Sequence, residues 1–402
     1  MGRLSTLLLF LLIGILWAVK CDFWPAPREN TKDTIENPYL KGFVQDYAAF
    51  VAAEMRRTQM PGAAVVIVRD STILFVKGFG VKEVHGRDSV DVHTLFRVGS
   101  LSKGFAGILT AMLDQEGVLR LEDPVVKYLP NFQLRSPEQS RRITLRHLLS
   151  HSTGLPYHTY TNLIEAGEDI PHIAARFKEV RLVGREGEVF SYQNAAFSVI
   201  EEVIRTVMGR PYSEVLQKRI FEKTGMRDAS ATYSGMMASR NKAYPHEGFD
   251  SAWVRTDITR RYYNTAAAGG VNASISDMGQ WLLALLGNRP EILPRETLDK
   301  AFVPLIKTNN ERRFFGAWAG EKEASYGLGW RIVKTPTDTI LYHGGYVNSY
   351  KGEIALHRRD RIGVCVLMNG AGSMSERLVP QFFDTYRAYA DSIQAWKPKN
   401  RL

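Results

Sequence analysis

Cysteine is nearly absent from this chain: Cys21 and Cys365 are the two among 402 residues. A pair so differently placed makes neither a disulfide framework nor a cysteine metal site. Cys365 lies in Arg361-Ile-Gly-Val-Cys-Val-Leu-Met, which reads as a buried strand, so its expected role is that of a small core hydrophobe. Metal-ligand spacing is missing too. His246-Glu-Gly-Phe-Asp is not His-Glu-x-x-His, and the nine histidines form no ligand pattern. Neither a metal nor another cofactor is therefore expected. A lone histidine such as His172 reads as surface or core. No Lys/Arg run is interleaved with aromatics, so no nucleic-acid partner is expected, although the net charge is +10. A basic surface of that kind suits an anionic cell-envelope surface, or simply solvent. No internal repeat points to a solenoid.

Long apolar runs are scarce as well. Leu7 to Val19 is apolar over thirteen residues, with Arg3 ahead of it. As a helix it would cover about 20 Å, short of a bilayer core of about 30 Å. That length suits the apolar region of a signal peptide. Ala18-Val19-Lys20 is a poor cleavage site, and Lys20 before Cys21 is wrong for a lipoprotein signal. Export is expected, to a periplasmic or other extracytoplasmic place, with residues 1–20 as signal peptide or short membrane anchor. Residues 21–40, with Pro25 and Pro27, read as a tether. A domain over 41–395 and a tail over 396–402 complete the chain.

What is abundant is ordinary: 45% hydrophobic and 23% charged residues, enough for a large buried core. Val44 to Arg57 has helical spacing. Ala63–Val68 and Ile73–Phe79 are apolar and β-branched on either side of Asp70-Ser71, which predicts a hairpin. Helical patterns dominate next, at Leu145–Ser150, Ala195–Met208, Tyr212–Lys218 and Ser276–Leu286. Strand patterns return at Tyr326–Val333, Thr339–His343, Tyr350–Leu356 and Ile362–Met368. Leu378–Trp396 closes as an amphipathic helix. The expected fold class is α+β. One antiparallel sheet is built from both chain ends and flanked by helices, with a mainly helical lobe inserted over about 104–320. Asn309 to Ser325 has no regular period and reads as a loop at a cleft rim.

Within this frame, Arg97-Val-Gly-Ser-Leu-Ser-Lys-Gly-Phe carries the chemistry. A helical pattern starts here through Phe105, Ile108, Leu109, Met112 and Leu113. Residues three apart share a helix face, so Ser100 and Lys103 come together. An amine takes a hydroxyl proton only when neutral. Burial and the positive end of a helix both lower a lysine pKa. This is the pattern of a serine nucleophile with a lysine base. By itself Ser-x-x-Lys also fits a capping serine and a solvated lysine. Companions follow in order. Tyr192-Gln193-Asn194 offers a phenol that can relay a proton and an amide that can orient the lysine or a substrate carbonyl. Tyr342-His343-Gly344-Gly345-Tyr346 precedes a strand, and its glycines let a strand edge approach a substrate backbone. The N–H groups of Ser100 and Tyr346 could then form an oxyanion hole.

In these segments the chain resembles the class C β-lactamase and penicillin-recognising D,D-peptidase family of serine hydrolases. Further similar segments are Gly117-Val-Leu-Arg-Leu-Glu-Asp-Pro, Ile143-Thr-Leu-Arg-His-Leu-Leu-Ser-His-Ser-Thr-Gly-Leu-Pro, Ala267-Ala-Gly-Gly-Val-Asn-Ala-Ser and Tyr326-Gly-Leu-Gly-Trp. The resemblance implies Ser100 as nucleophile, Lys103 as its partner and Tyr192 as second general acid/base. It implies Asn194, His343, Gly345 and Tyr346 on the substrate-binding side. His343 falls where the β-lactamases usually have a lysine, and histidine is mostly neutral near pH 7. Peptidase and esterase members carry histidine there. The implied activity is cleavage of an amide or ester through an acyl-enzyme on Ser100, as a D-amino-acid peptidase or esterase of the cell envelope, with a small peptide, ester or β-lactam as substrate. A class C-like β-lactamase is the alternative, and so is an idle relative that binds peptides or cell-wall fragments. Nothing in the pattern sets an oligomeric state.

Three other serine and tyrosine placements compete. Ser150-His-Ser-Thr-Gly154 is one residue from a Gly-x-Ser-x-Gly elbow, which would make Ser152 the nucleophile of an α/β-hydrolase. Its helical surroundings argue against the strand–turn–helix that an elbow needs. Tyr-x-Asn recurs at Tyr262 and Tyr346. Tyr262 precedes Thr265-Ala-Ala-Ala-Gly-Gly and reads as packing or a turn, whereas at Tyr346 the backbone N–H is expected to matter.

Overall fold

The computed structural model describes residues 35–248, 250, 252–308, 318, 323–336 and 338–397. The expected export segment at 1–20, most of the tether, most of the Asn309–Ser325 loop and the end of the tail lie outside the described residues. Eight strands form one antiparallel sheet: β1 Gly62–Arg69, β2 Thr72–Gly80, β3 Ile306–Lys307, β4 Glu323–Tyr326, β5 Arg331–Lys334, β6 Thr339–Val347, β7 Tyr350–His357 and β8 Ile362–Met368. Their order across the sheet is β2-β1-β8-β7-β6-β5-β4-β3. The two chain ends meet where β1 pairs with β8, Ala63 opposite Met368 and Arg69 opposite Ile362.

Both faces of this sheet are covered, and the period-2 alternation sorts residues between two cores. In β1, Ala63, Val65 and Ile67 enter one cluster, and Ala64, Val66 and Val68 the other. Strands buried on both faces read as continuous apolar runs, which is why β1 and β8 carry hardly a polar residue. The first core is closed by helices α1 Pro38–Thr58 and α5 Ser375–Ala395. Phe382 of α5 meets Phe43 and Tyr47 of α1 edge-on, at 5.4 and 5.2 Å between ring centres. Such pairs add about 0.5–1.5 kcal/mol each beyond burial. Helix α1 starts six residues before the expected Val44. Pro38 suits the first helical position, and the Asn37 side chain accepts from the amides of Tyr39 and Leu40.

The second core joins the sheet to the lobe through α2 Ser102–Gln115, α3 Asn194–Met208 and α4 Ile275–Leu283. Residues 102–113 of α2 are all buried. A helix apolar on every side is a central helix rather than a surface one. One expected strand is corrected. Tyr326–Val333 is not continuous but turns between β4 and β5. At Gly329 the backbone has φ +75°, and a Cβ would stand 2.2 Å from the Lys103 carbonyl oxygen. Only glycine lets the turn press on α2 there. Cys365 is fully buried in β8, in the core that faces the lobe.

Candidate active site

Ser100 lies in a tight turn, Gly99–Leu101, that leads directly into α2. Its Oγ is 3.3 Å from Lys103 Nζ. Lys103 is fully buried. Its Nζ also donates to Asn194 Oδ1 at 2.8 Å and to the Ala268 carbonyl oxygen at 2.9 Å. Burial, and then the Arg331 guanidinium, hold the Lys103 amine well below the usual lysine range. A neutral amine has two N–H groups and one lone pair. The two short contacts use the N–H groups, which leaves the lone pair for the Ser100 hydroxyl.

Tyr192 and Asn194 stand where the chain enters α3, and both are buried. The Tyr192 ring lies 4.8 Å from Lys103 Nζ and 5.3 Å from the Arg331 guanidinium carbon. Asn194 serves the lysine through Oδ1 and donates from Nδ2 to the Tyr262 hydroxyl at 3.4 Å. Tyr262 therefore does more than pack. It adopts φ +68°, rests on Gly269, and carries its hydroxyl to the partner of Lys103.

From the sheet side, β6 runs its Gly344-Gly345-Tyr346 edge along the Ser100 turn. A Cβ at Gly345 would stand 2.2 Å from Val98 O and 3.1 Å from Ser100 N. Only glycine permits this approach, which sets the backbone of Tyr346 against that of Gly99 and Ser100. The Tyr346 ring points outward and is 60% exposed. A cavity of about 470 Å³ opens beside it, with Tyr262, Glu165, Glu247, Asp257 and Arg261 among its walls.

His343 is placed differently from an open substrate contact: it is fully buried. Its Nδ1 donates to the Gly344 carbonyl oxygen at 2.8 Å. Its Nε2 accepts from the Tyr326 hydroxyl at 2.8 Å and faces Arg331 Nη1 at 3.3 Å. Burial and then the Arg331 guanidinium push the imidazole well below the usual histidine range, so it is neutral. The sequence motif supplies no permanent charge at this corner. Arg331 of β5 supplies one, although it is 3% exposed. Arg331 and the Ala268 carbonyl are groups that motif spacing does not reveal, and for Tyr262 and Tyr326 spacing does not reveal their contacts with Asn194 and His343. Arg331 is the one with a signal, a charge directly between Gly-Leu-Gly-Trp330 and the apolar Ile332-Val333 pair of β5.

Ser152 is no elbow nucleophile. It is buried, bonded to Ser150 Oγ at 2.8 Å, and sits in a turn after a short helix rather than after a strand. Two other hollows, about 340 and 430 Å³, border Arg358 and Arg359 at the opposite strand ends from Ser100.

The family model for Beta-lactamase matches residues 47–382. Protein flp of Staphylococcus aureus (strain MRSA252) is 22% identical over 337 residues, which cover 81% of this chain and 62% of that protein. The chain thus spans about three fifths of the length of its flp relatives. PbpX of Bacillus subtilis (strain 168) is 28% identical over 303 residues, 72% of either chain. Among solved structures, the octameric penicillin-binding protein homologue from Pyrococcus abyssi superposes with a TM-score of 0.73 and 25% identity, over 87% of this chain and 77% of that one.

Proposed function

We propose that this chain, which belongs to the beta-lactamase family of serine hydrolases, cleaves an amide or ester bond through an acyl-enzyme on Ser100. One observation carries the reading: a fully buried lysine, held by two neutral acceptors, has its third contact on the Ser100 hydroxyl. Neutral Lys103 takes the proton of Ser100 as Oγ attacks the substrate carbonyl carbon. The oxyanion that forms is met by the N–H groups of Ser100 and Tyr346. Tyr192 passes a proton to the leaving oxygen or nitrogen as its bond to the carbonyl carbon breaks. Water then attacks the acyl group, and the same groups run in reverse to release the acid and restore Ser100. Asn194 orients Lys103, and the Arg331 charge helps keep it neutral.

The substrate class we favour is a D-amino-acid peptide or a small ester, ahead of a β-lactam. His343 is buried and neutral, so it offers no exposed cation to a β-lactam carboxylate. The likeness to the Pyrococcus abyssi protein, a penicillin-binding protein homologue, supports a peptide-like or β-lactam-like ligand class. We place the catalytic region outside the cytoplasmic membrane, near an anionic envelope surface. The support is the Leu7–Val19 run behind Arg3 and the net charge of +10. A fusion of residues 1–40 to a reporter active only after export should be active, and a silent fusion would defeat this placement.

The decisive experiment is labelling with a fluorophosphonate and mass spectrometry of the modified peptide. Label on Ser100, absent from Ser100→Ala, is the expected result. Label on Ser152, or none, ends the reading. Faster turnover of a cephalosporin than of esters would replace the substrate class with that of a β-lactamase.

A further inference from the structure

The Ser150-His151-Ser152-Thr153-Gly154 segment has lost its claim to a nucleophile, yet it holds a histidine that no step above uses. His151 is fully buried at the base of the site, with φ +58°. Its ring lies 4.3 Å from that of Tyr192. The backbone N–H groups of both residues that flank Tyr192 end on this one residue. Ser191 N–H donates to the His151 carbonyl oxygen at 2.9 Å, and Gln193 N–H donates to His151 Nδ1 at 3.1 Å. We infer that His151 is a positioning residue that clamps Tyr192 from both sides of its backbone and beneath its ring, and so aims the phenol for proton transfer. The inference rests on the proposed role of Tyr192.

The chemistry of the clamp fixes a tautomer. Nδ1 accepts from Gln193, so the proton of a neutral imidazole is on Nε2. That nitrogen is buried without a hydrogen-bond partner among the described residues, enclosed by Phe197 at 5.2 Å, Tyr326 at 4.8 Å and Phe190 at 5.9 Å between ring centres. A phenylalanine would fill such an aromatic box with no unsatisfied N–H. What it lacks is an acceptor for Gln193. The left-handed backbone and the unpaired Nε2–H are both costs at this position, and the acceptor is what histidine gains against them. Burial above all, helped by the Arg331 guanidinium, keeps the imidazole neutral.

Two variants separate the parts. His151→Phe keeps the ring and removes the acceptor. His151→Asn removes the ring, keeps an acceptor near Nδ1, and suits a left-handed backbone. Each is assayed on an alkyl ester and on a p-nitrophenyl ester of the same acid. An alkoxide leaving group needs a proton and nitrophenolate does not, so in acylation, which kcat/KM reports, a misdirected Tyr192 harms the alkyl ester selectively, whereas hydrolysis of the acyl-enzyme is common to both esters. The expectation for His151→Phe is a loss of roughly 10- to 100-fold in kcat/KM on the alkyl ester. The loss in kcat/KM on the nitrophenyl ester should be below threefold, and His151→Asn should recover part of the alkyl-ester rate. Equal losses on both esters, or none, overturn the clamp. Nitrogen-15 NMR of the wild-type histidines tests it without any variant. A neutral Nε2–H imidazole that does not titrate between pH 5 and 8 is expected, and an Nδ1–H form or an ordinary titration overturns it. If the wild type turns over neither ester while that NMR signature is found, the hydrolase reading fails and the clamp geometry stands.

Discussion

The two ends of the sheet treat positive charge in opposite ways. At the end where β7 turns into β8, cations meet carboxylates: Arg358 Nη1 is 2.7 Å from Asp299, Arg359 Nη2 2.9 Å from Asp338, and Arg361 Nε 3.0 Å from Asp70. Even His357 Nδ1 stands 3.1 Å from Asp360. At the end where β6 turns into β7, Lys103 is buried against a hydroxyl, an amide oxygen and a peptide carbonyl, with no carboxylate partner among the described residues. A neighbouring carboxylate favours the charged form, whereas burial among neutral dipoles disfavours it. A basic side chain is thus a fixed charge at one end and a base at the other. The difference is in the side chain, since arginine keeps its proton and lysine can lose it, and in the partner.

The most forceful way to break this contrast is to remove its reactive members. Ser100→Ala and Lys103→Met should each lower kcat by roughly 10³-fold or more, and the double variant should lose little further, because the two act as one unit. Losses that multiply in the double variant would refute joint action. Lys103→Met also tests the neutral amine through stability. A lysine whose folded pKa lies well below 10.5 binds its proton more readily in the unfolded chain. Wild-type stability therefore rises with pH between the depressed folded value and 10.5, and is lost as pH falls through the folded value. The methionine variant lacks this slope. Any melting-temperature advantage it has over the wild type should shrink as pH is raised from 7 to 10, and a gap that stays constant would mean that Lys103 is charged in the fold.

A subtler break makes the reactive end resemble the far end. Asn194→Asp sets a carboxylate on the atom that now receives Lys103 at 2.8 Å. The expected result is a lysine locked as ammonium, with kcat near pH 7 lowered by about 10²-fold, the scale of a general base lost. Partial recovery at high pH should follow. Unchanged activity would show that the neutral partner is not what makes the base.

Much of this arrangement is legible in the sequence alone. The hairpin of β1 and β2, the pairing of the two chain ends and the central buried helix follow from period-2 and helical spacing. Ser100 and Lys103 are brought together by local helix geometry, so their contact is legible too. Tertiary contributions are not. The Ala268 oxygen is a backbone atom with no side-chain signature. Tyr262 reads as packing because its neighbours are small, yet those same small residues let its hydroxyl reach Asn194. Arg331 sits in a strand, and no spacing rule says that β5 will lie across Tyr192. His343 can be found by position, but its burial depends on Tyr326 and Arg331, both outside its own segment.

Arg331 sharpens the comparison, since it is the long-range charge that depresses Lys103. Removing it in Arg331→Met should let the Lys103 pKa rise toward its ordinary value. The acidic limb of the kcat/KM profile, which reports the free base, should then move to higher pH. Activity below that limb should fall several-fold while the plateau above it changes less. A shift to lower pH, or none, would mean that burial alone sets the base.

The smallest effect belongs to the far end, where the charges are already matched. Arg358 and Asp299 are 34% and 49% exposed, and solvent weakens their attraction. An exposed pair of this kind is worth about 0–1 kcal/mol, less in salt. Arg358→Ala should therefore lower stability by no more than that, and added salt should reduce the difference further. It should leave kcat and its pH profile unchanged, because the strand ends are separated by the full length of β7, about 25 Å for eight residues. At that distance and at physiological ionic strength a surface charge is screened from Lys103, one Debye length being about 8 Å. Urea unfolding at two salt concentrations, with turnover on one ester, measures both quantities. A tenfold change in kcat, or a displaced acidic limb, would show that the paired cations at the far end help to set the base after all, and the division of labour between the two ends would not hold.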